Sequence, residues 1–583
     1  MEKEPIKSID KKEWRIPFES RVMRVIRAFT LTEKTIFVFF TGLFILSSLS
    51  LLYQVNKLFL VDVPDYGGTL TEGIIGSPRF INPLLAVSEV DKDLTSLIYS
   101  GLLKINPEGK LTADLAESYT ISPDGLNYTF ILKDNLYFQD GVRLTTDEIV
   151  FTVEKAQDSS LKSPREANWS GVLVHKVSDK EITFVLKQPY SPFIQNATLG
   201  ILPKHLWKDA STEEFPFSQF NIKPVGSGPY KVDSIVYASS GLPGEYRLKS
   251  FNKYALGEAF ITNLVIKTYQ NEKGVVEAYN GGEIGSFHSV SQKQLPDIEA
   301  RGGNVVLSPL PRIFGVFFNQ NLAPVLVYKE VREALDMATD KQIIVDNILG
   351  GFGQVINSPV PLKTVAPKLD DVISAETRLE NAKNILVAKG WKQNADGIFE
   401  KKEKNSTTKL EFSISTGNAP ELKETAILLQ QQWEKLGAKV DVKIFEIGDL
   451  NQNVIKPRKY DALLFGEIIG RDLDLYPFWH SSQRTSPGLN IAIYTNLKAD
   501  KILEKIRTTT SSDEQEKGLE DFNKEIRSDI PAIFTYSPYF IYIIPKQVQN
   551  VQLGALAGSS ERFSDINKWF IETNSIWNFF KTN

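Results

Sequence analysis

Between Lys34 and Lys57 the chain runs from Thr35 to Asn56 without one charged side chain, 22 residues in all. At about 1.5 Å per residue, such a helix crosses a hydrocarbon layer of about 30 Å. A buried core helix is the competing reading, but core helices normally carry a polar stripe. The flanks orient the span. Lys3, Lys7, Lys11, Lys12, Arg15, Arg21, Arg24, Arg27 and Lys34 precede it, whereas Lys57, Asp62 and Asp65 come after. Basic residues stay on the cytoplasmic side, so residues 1–34 form a cytoplasmic leader and residues 61–583 lie outside. No small-x-small cleavage site succeeds the span, only Lys57-Leu-Phe-Leu-Val61, which favours an uncleaved signal anchor at 35–57 over a removed signal peptide. In the leader, Phe18, Val22, Ile26 and Phe29 recur at helical spacing among Arg21, Arg24 and Arg27. A basic helix on the inner leaflet and an irregular positive leader both fit.

The chain is too long for one core. At roughly 100–200 residues per domain, 583 residues imply about three or four domain-sized units. A net charge of −4 argues against a phosphate-neutralising surface, and so against nucleic acid as the main partner. The absence of cysteine excludes disulfides, thiolate metal sites and a cysteine nucleophile. His175, His205, His288 and His480 are scattered, with no His-x-x-x-His pair and no Gly-x-Ser-x-Gly elbow. No hydrolase constellation, resident metal or cofactor is expected.

From Gly67-Gly68 onward, strand and helix signals alternate, as in an α/β assembly, after a tether over about 58–66. Ser122-Pro-Asp-Gly125 is turn chemistry before a strand at Tyr128–Leu132. Thr145 with Glu148 is a capping box that opens a helix through Ile149, Val153 and Ala156. Leu422, Ala426, Leu429, Trp433 and Leu436 mark a helix ending at Gly437, between strands Leu410–Ser415 and Val440–Ile444. That is a parallel crossover unit, whose ligands lie at the carboxyl ends of the strands. Further helices run over Leu379, Ala382 and Leu386 and over Val331, Leu335 and Ala338, the latter with Arg332 and Asp336 spaced as an i,i+4 pair.

Several segments, taken in order, resemble one family. They include Gly67-Gly-Thr-Leu-Thr-Glu-Gly73, Pro78-Arg-Phe-Ile-Asn-Pro83, Leu97-Ile-Tyr-Ser-Gly-Leu102 and Leu115-Ala-Glu-Ser118. Next come Phe138-Gln-Asp-Gly141 with Thr146-Asp-Glu-Ile-Val-Phe151, then Gly226-Ser-Gly-Pro-Tyr230, Tyr460-Asp-Ala462 and Pro531-Ala-Ile-Phe-Thr-Tyr-Ser-Pro538. Over residues 67–575 the chain is similar to the extracytoplasmic solute-binding proteins of ABC importers, in the peptide and nickel class. The resemblance implies a two-lobed periplasmic-binding-protein-like fold of type II, in the large peptide-binder form with an extra subdomain, behind one N-terminal transmembrane helix. Lobe I would comprise 67–104, 225–311 and 535–575, the additional subdomain 105–224, and lobe II 312–534. Pro309, Pro311 and Ser537-Pro538 would punctuate a two-stranded hinge, or be ordinary loop prolines.

The resemblance also implies that a peptide is held between the lobes and delivered to a permease and its ATPase. The same fold with a metal chelate, an oligosaccharide or another small solute is the alternative, as is a surface sensor or chaperone without transport. In relatives, the loop after Ala462–Glu467 meets the ligand amine, which makes Asp472 and Asp474 the candidates, with Arg471 beside them. A solvated turn is the competing reading of that loop. Trp479, Tyr494 and Tyr536 are candidate cleft walls or, equally, core residues. Phe80 and Asn82 in the first lobe and Asn319 at the start of the second complete the candidate set.

Overall fold

The computed structural model describes residues 25–26, 28–288, 290–291, 294–360, 374–404, 406–470, 473–577 and 579. In the leader, Phe18, Val22, Arg21, Arg24 and Arg27 lie outside the described residues. So do Arg471 and Asp472 of the candidate site. The chain forms two units: one from its two ends, up to Asp65 and from Thr573 on, the other from Tyr66 to Glu572.

In the first unit, α1 (Leu31–Phe59) is 29 residues long and has no buried side chain. Its mean hydropathy reaches 2.2, so by length and composition it suffices to cross a membrane. Thr30 caps it reciprocally with Glu33, a start signal not recognised in the sequence. β1 (Leu60–Pro64) continues directly from it and pairs antiparallel with the C-terminal strand Thr573–Trp577. A tether was expected over 58–66. Instead the alternating Leu60-Val-Asp-Val63 takes backbone partners from the other end of the chain.

The second unit is organised by a 12-stranded mixed sheet. Its strands are β2 (Gly67–Ile75), β3 (Tyr230–Tyr237), β4 (Pro243–Ser250), β5 (Ile261–Tyr269), β6 (Ser286–His288) and β7 (Asn304–Pro309), then β8 (Arg312–Phe318), β9 (Gly353–Val355), β10 (Glu411–Gly417), β11 (Lys439–Phe445), β12 (Ala462–Ile468) and β13 (Ala532–Ile544). The order across the sheet is β11-β10-β12-β8-β13-β6-β2-β5-β4-β3, with β7 and β9 also on β13. The 13-residue β13 therefore serves both ends: Ala532–Tyr536 pair with β8, and Tyr539–Ile544 with β7.

Three large sets of buried side chains divide at that crossing. One draws on Leu70–Leu310 and Phe540–Trp569, and the other two on Val316–Tyr536 and on Ile313–Phe534. A four-stranded antiparallel sheet of Ala116–Ile121, Asn127–Leu132, Glu181–Val185 and Leu173–Lys176 packs with the first set.

Local chemistry explains most elements. The helix α2 (Glu89–Ile98) starts on Ser88, whose side chain accepts from Asp91 N. The capping box of Thr145 and Glu148 opens α3 (Thr146–Gln157). In the crossover unit, β10 and β11 are parallel and joined by α6 (Pro420–Leu436), which ends on Gly437 at φ +106°, where a Cβ would be strained. Between β8 and that unit lie α4 (Lys329–Ala338) and α5 (Ala375–Ala388); after β12 come α7 (Leu497–Thr508) and α8 (Ser512–Asp529).

The Arg332–Asp336 pair does not form. Arg332 turns inward and donates to the main-chain oxygens of Asp529 (2.7 Å), Ile530 (2.9 Å) and Leu326 (2.8 Å), while Asp336 pairs with Lys341 (2.9 Å). The exposed carbonyls at the end of α8 outcompete a solvated carboxylate for the planar donor fork.

Candidate ligand-binding site

The carboxyl end of β12 lies beside the place where the chain passes from the first core set to the others. Ile469 N donates to Pro311 O at 3.0 Å. Ser537 Oγ donates to Leu310 O at 2.8 Å, tying the two crossing stretches to each other. Next to them Phe314 stacks on Tyr536, with ring centroids 4.8 Å apart. Gly466 fits there because a Cβ would come within 2.6 Å of the Phe314 ring.

Glu467, the penultimate residue of β12, is only 4 % exposed, and among the described residues neither of its carboxyl oxygens has a hydrogen-bond partner. Burial pushes its carboxyl well above the ordinary carboxylate range. It faces the same side as Leu463 and Phe465, as strand alternation requires. An acid at an inward position of an otherwise apolar strand was the signal that the sequence carried and that the candidate set did not use.

Beyond β12, Leu473 takes φ +48°, and its N–H donates to Gly470 O at 3.0 Å. The next residue, Asp474, accepts from Arg507 Nη2 (2.9 Å) and Nε (3.1 Å) and from the Tyr190 hydroxyl (3.3 Å). Its other oxygen accepts from Tyr476 N at 3.2 Å. The Arg507 guanidinium lies 4.3 Å from the centroid of the Tyr476 ring and 5.1 Å from that of Tyr190. Arg507 comes from the last turn of α7, whereas Tyr190 comes from the segment that carries the four-stranded sheet. Ser191 Oγ adds a bond to Arg507 O at 3.2 Å. The carboxylate thus sits where two parts of the molecule meet, already surrounded by a cation, a phenol and two aromatic faces. None of Arg507, Tyr190 and Tyr476 stood out in the sequence: Arg507 and Tyr190 reach Asp474 only through the fold, and Tyr476, two residues on, carried no signal of its own.

The remaining candidates go elsewhere. Trp479 is fully buried, edge-on to Tyr494 at 6.2 Å and near Phe522 and Phe534. Tyr494 is buried too, and its hydroxyl donates to Asp529 at 2.7 Å. Tyr536 turns into the core that contains α6. These three aromatic side chains fill core volume and present no open face. Asn82 is buried, donating to Asn221 Oδ1 (3.1 Å) and accepting from Leu84 N (2.9 Å). Asn319 likewise braces a turn, donating to Arg458 O at 2.9 Å. Phe80 is half-buried against the first core, its N–H bonded to Asp91 at 2.9 Å. Among the described residues, no group of three or more acidic or histidine side chains is placed to hold a metal ion.

Comparison with known proteins identifies the family and the fold. The family model for bacterial extracellular solute-binding proteins, family 5, matches residues 110–487. The oligopeptide-binding protein AppA of Bacillus subtilis is 29 % identical over 518 residues, covering 87 % of this chain and 92 % of its own. The structure of that protein with a nonapeptide matches at 27 % identity and a TM-score of 0.63, covering 88 % of this chain and all of the other. NikZ from Campylobacter jejuni, in complex with Ni(L-His), matches at 26 % identity and a TM-score of 0.65, over 86 % of this chain and 99 % of its own. The expected α/β periplasmic-binding-protein fold is the one found. The chain belongs to the bacterial extracellular solute-binding proteins of family 5.

Proposed function

We propose that this protein is the membrane-anchored receptor of an ABC importer: it encloses a peptide between two lobes and passes it to a permease and its ATPase. The lobes are 67–104 with 225–311 and 535–575 on one side and 312–534 on the other, with 105–224 as an added subdomain. The division of the buried side chains between Leu310 and Ile313 and between Tyr536 and Phe540 supports a two-lobed body that changes over at these two crossings. The helix α1 acts as an uncleaved anchor, with the basic leader in the cytoplasm and the body outside. A tethered receptor stays at raised effective concentration near its transporter.

The observation that carries the peptide reading is Asp474, a carboxylate at the junction whose partners come from two separate segments. The relative whose structure matches was itself solved with a nonapeptide. A peptide ammonium would replace Arg507 or Tyr190 at that carboxylate, and main-chain bonds along the extended ligand would supply most of the remaining affinity, each about 0.5–1.5 kcal/mol net. Glu467 is a second acid in reach of the same strand ends, and a ligand cation beside it would draw off its proton.

The test is the thermal midpoint of the full chain in detergent micelles against a peptide library, sugars and nickel–histidine. A ligand at a hundred times its Kd adds about 2.7 kcal/mol to the folded state. A shift with peptides supports the reading. A shift only with sugars or nickel–histidine overturns it.

A further inference from the structure

In the unit formed by the two ends of the chain, β1 and the C-terminal strand Thr573–Trp577 make a ladder that starts where α1 stops. At about 1.5 Å per residue, the 29 residues of α1 measure about 44 Å. A bilayer with its headgroup layers is about 40–45 Å thick, so a helix that starts at one surface ends at the other. The end of α1 therefore falls at the outer headgroup level. Lys57 stands in its last turn, where the stem can lie in the apolar layer while the ammonium turns to the phosphates.

The ladder is graded in polarity along its length. Next to α1 the facing pairs are Leu60 with Trp577 and Val61 with Ile576. Farther along they become Asp62 with Ser575, Val63 with Asn574 and Pro64 with Thr573, and Ser575 Oγ donates to Asp62 Oδ1 at 2.7 Å. Apolar side chains thus gather at the helix end of the ladder and polar ones at the far end. Trp577 is 51 % exposed even though its ring meets that of Phe59, with centroids 6.4 Å apart. Phe579, just past the strand, is 90 % exposed, and Leu58 and Phe59 are exposed as well. A two-stranded ladder is marginal in water by itself, and large apolar side chains clustered open at one end of it call for a cover.

Continuity with α1 says what that cover is, because the open cluster lies at the height where the helix leaves the hydrocarbon. A tryptophan suits that height: its body is apolar, and its one N–H can donate to lipid carbonyl or phosphate oxygens. From these features we infer that the C-terminal strand ends in the outer headgroup layer, with Trp577 and Phe579 as a second membrane contact beside α1. The inference rests on α1 acting as an uncleaved anchor. The chain leaves this ladder after Asp65 to form the second unit and returns to it at Thr573. Its departure and its return are then both fixed at the lipid surface.

The chain has no cysteine, so a single introduced one carries a nitroxide label at one place only. Ile45→Cys, Thr573→Cys and Phe579→Cys of the full chain are labelled and reconstituted separately in phosphatidylcholine–phosphatidylglycerol vesicles without any other protein. Collision rates with oxygen, which concentrates in lipid, and with a water-soluble nickel chelate give the depth of each label. The label at 45 is expected in the hydrocarbon and the label at 573 in water. The label at 579 is expected at headgroup depth, with nickel-chelate collisions several-fold below those at 573. Adding Trp577→Ser to Phe579→Cys should raise those collisions several-fold, and Trp577→Tyr should keep them low, with peptide affinity unchanged in both. A deep label at 45 with 579 as open to water as 573 overturns the inference and leaves the anchor standing. A label at 45 that reads water overturns the anchor, and the inference with it. Low collisions with both probes at 579 put protein over it instead of lipid, and collisions indifferent to Trp577→Ser remove Trp577 from the contact; either result overturns the inference.

Discussion

The Tyr190 hydroxyl donates to Asp474 at 3.3 Å and, with the bond from Ser191 to Arg507 O, joins the 105–224 segment to 312–534. A ligand entering between those parts has to displace it. Tyr190→Phe removes the bond but keeps the ring beside Arg507. Stopped-flow measurements should show peptide association a few-fold faster, with less than about 1 kcal/mol change in stability.

Asp474→Asn keeps the shape and removes the charge. Free-amine peptides should lose about tenfold or more in affinity, as measured by calorimetry, whereas N-acetylated peptides of the same sequence should lose much less. Equal losses for both would remove the ammonium from this position.

Glu467 gives a pH signature with a fixed sign. A buried carboxyl held above its ordinary 4.5 keeps a proton that the unfolded chain releases. The folded state therefore loses stability as pH rises above about 4.5, until the buried group itself ionises. Glu467→Gln cannot titrate. Its thermal midpoint should match wild type near pH 4 and exceed it progressively toward pH 8.

Arg562 behaves in the opposite way. It is fully buried between Glu72 (2.9 Å) and Asp93 (2.8 Å), and Tyr542 donates to the same Glu72 at 2.9 Å. Burial alone would raise the Asp93 carboxyl, but the charge of Arg562, helped by His288, holds it down at about 2. This contribution is complete above about 3.8 and fades as pH falls toward 2. Arg562→Gln leaves two buried carboxylates without their cation and should cost about 3–5 kcal/mol in urea unfolding at pH 7.

How far the sequence reached depends on the range of the interaction. Local signals were legible: the cap at Thr145 and the stop at Gly437 are each written within a few residues, and the parallel β10–β11 unit within one consecutive strand–helix–strand stretch. The pairing of β1 with Thr573–Trp577 was not, because it joins opposite ends of the chain. Arg332 misled by its spacing, since its true partners are the carbonyls at the end of α8. For Trp479 and Tyr494, an aromatic on a wall and one in a core have the same sequence pattern, and only packing separates them. Asp474 could be named from resemblance, but Arg507 and Tyr190, which surround it together with the neighbouring Tyr476, come from two other segments of the chain.

The uninterrupted run of β13 limits what movement is available at its middle. Pulling one half lengthwise past the other would shear β13 away from β7 or β8, whereas a twist concentrated at Ser537-Pro538 would leave those two ladders whole and load only the short pairing with β9. The Ser537–Leu310 bond couples that twist to the neighbouring strand, so the two threads turn together like the plies of a cord. A hinge built this way would turn rather than slide, with the strain shared by both plies.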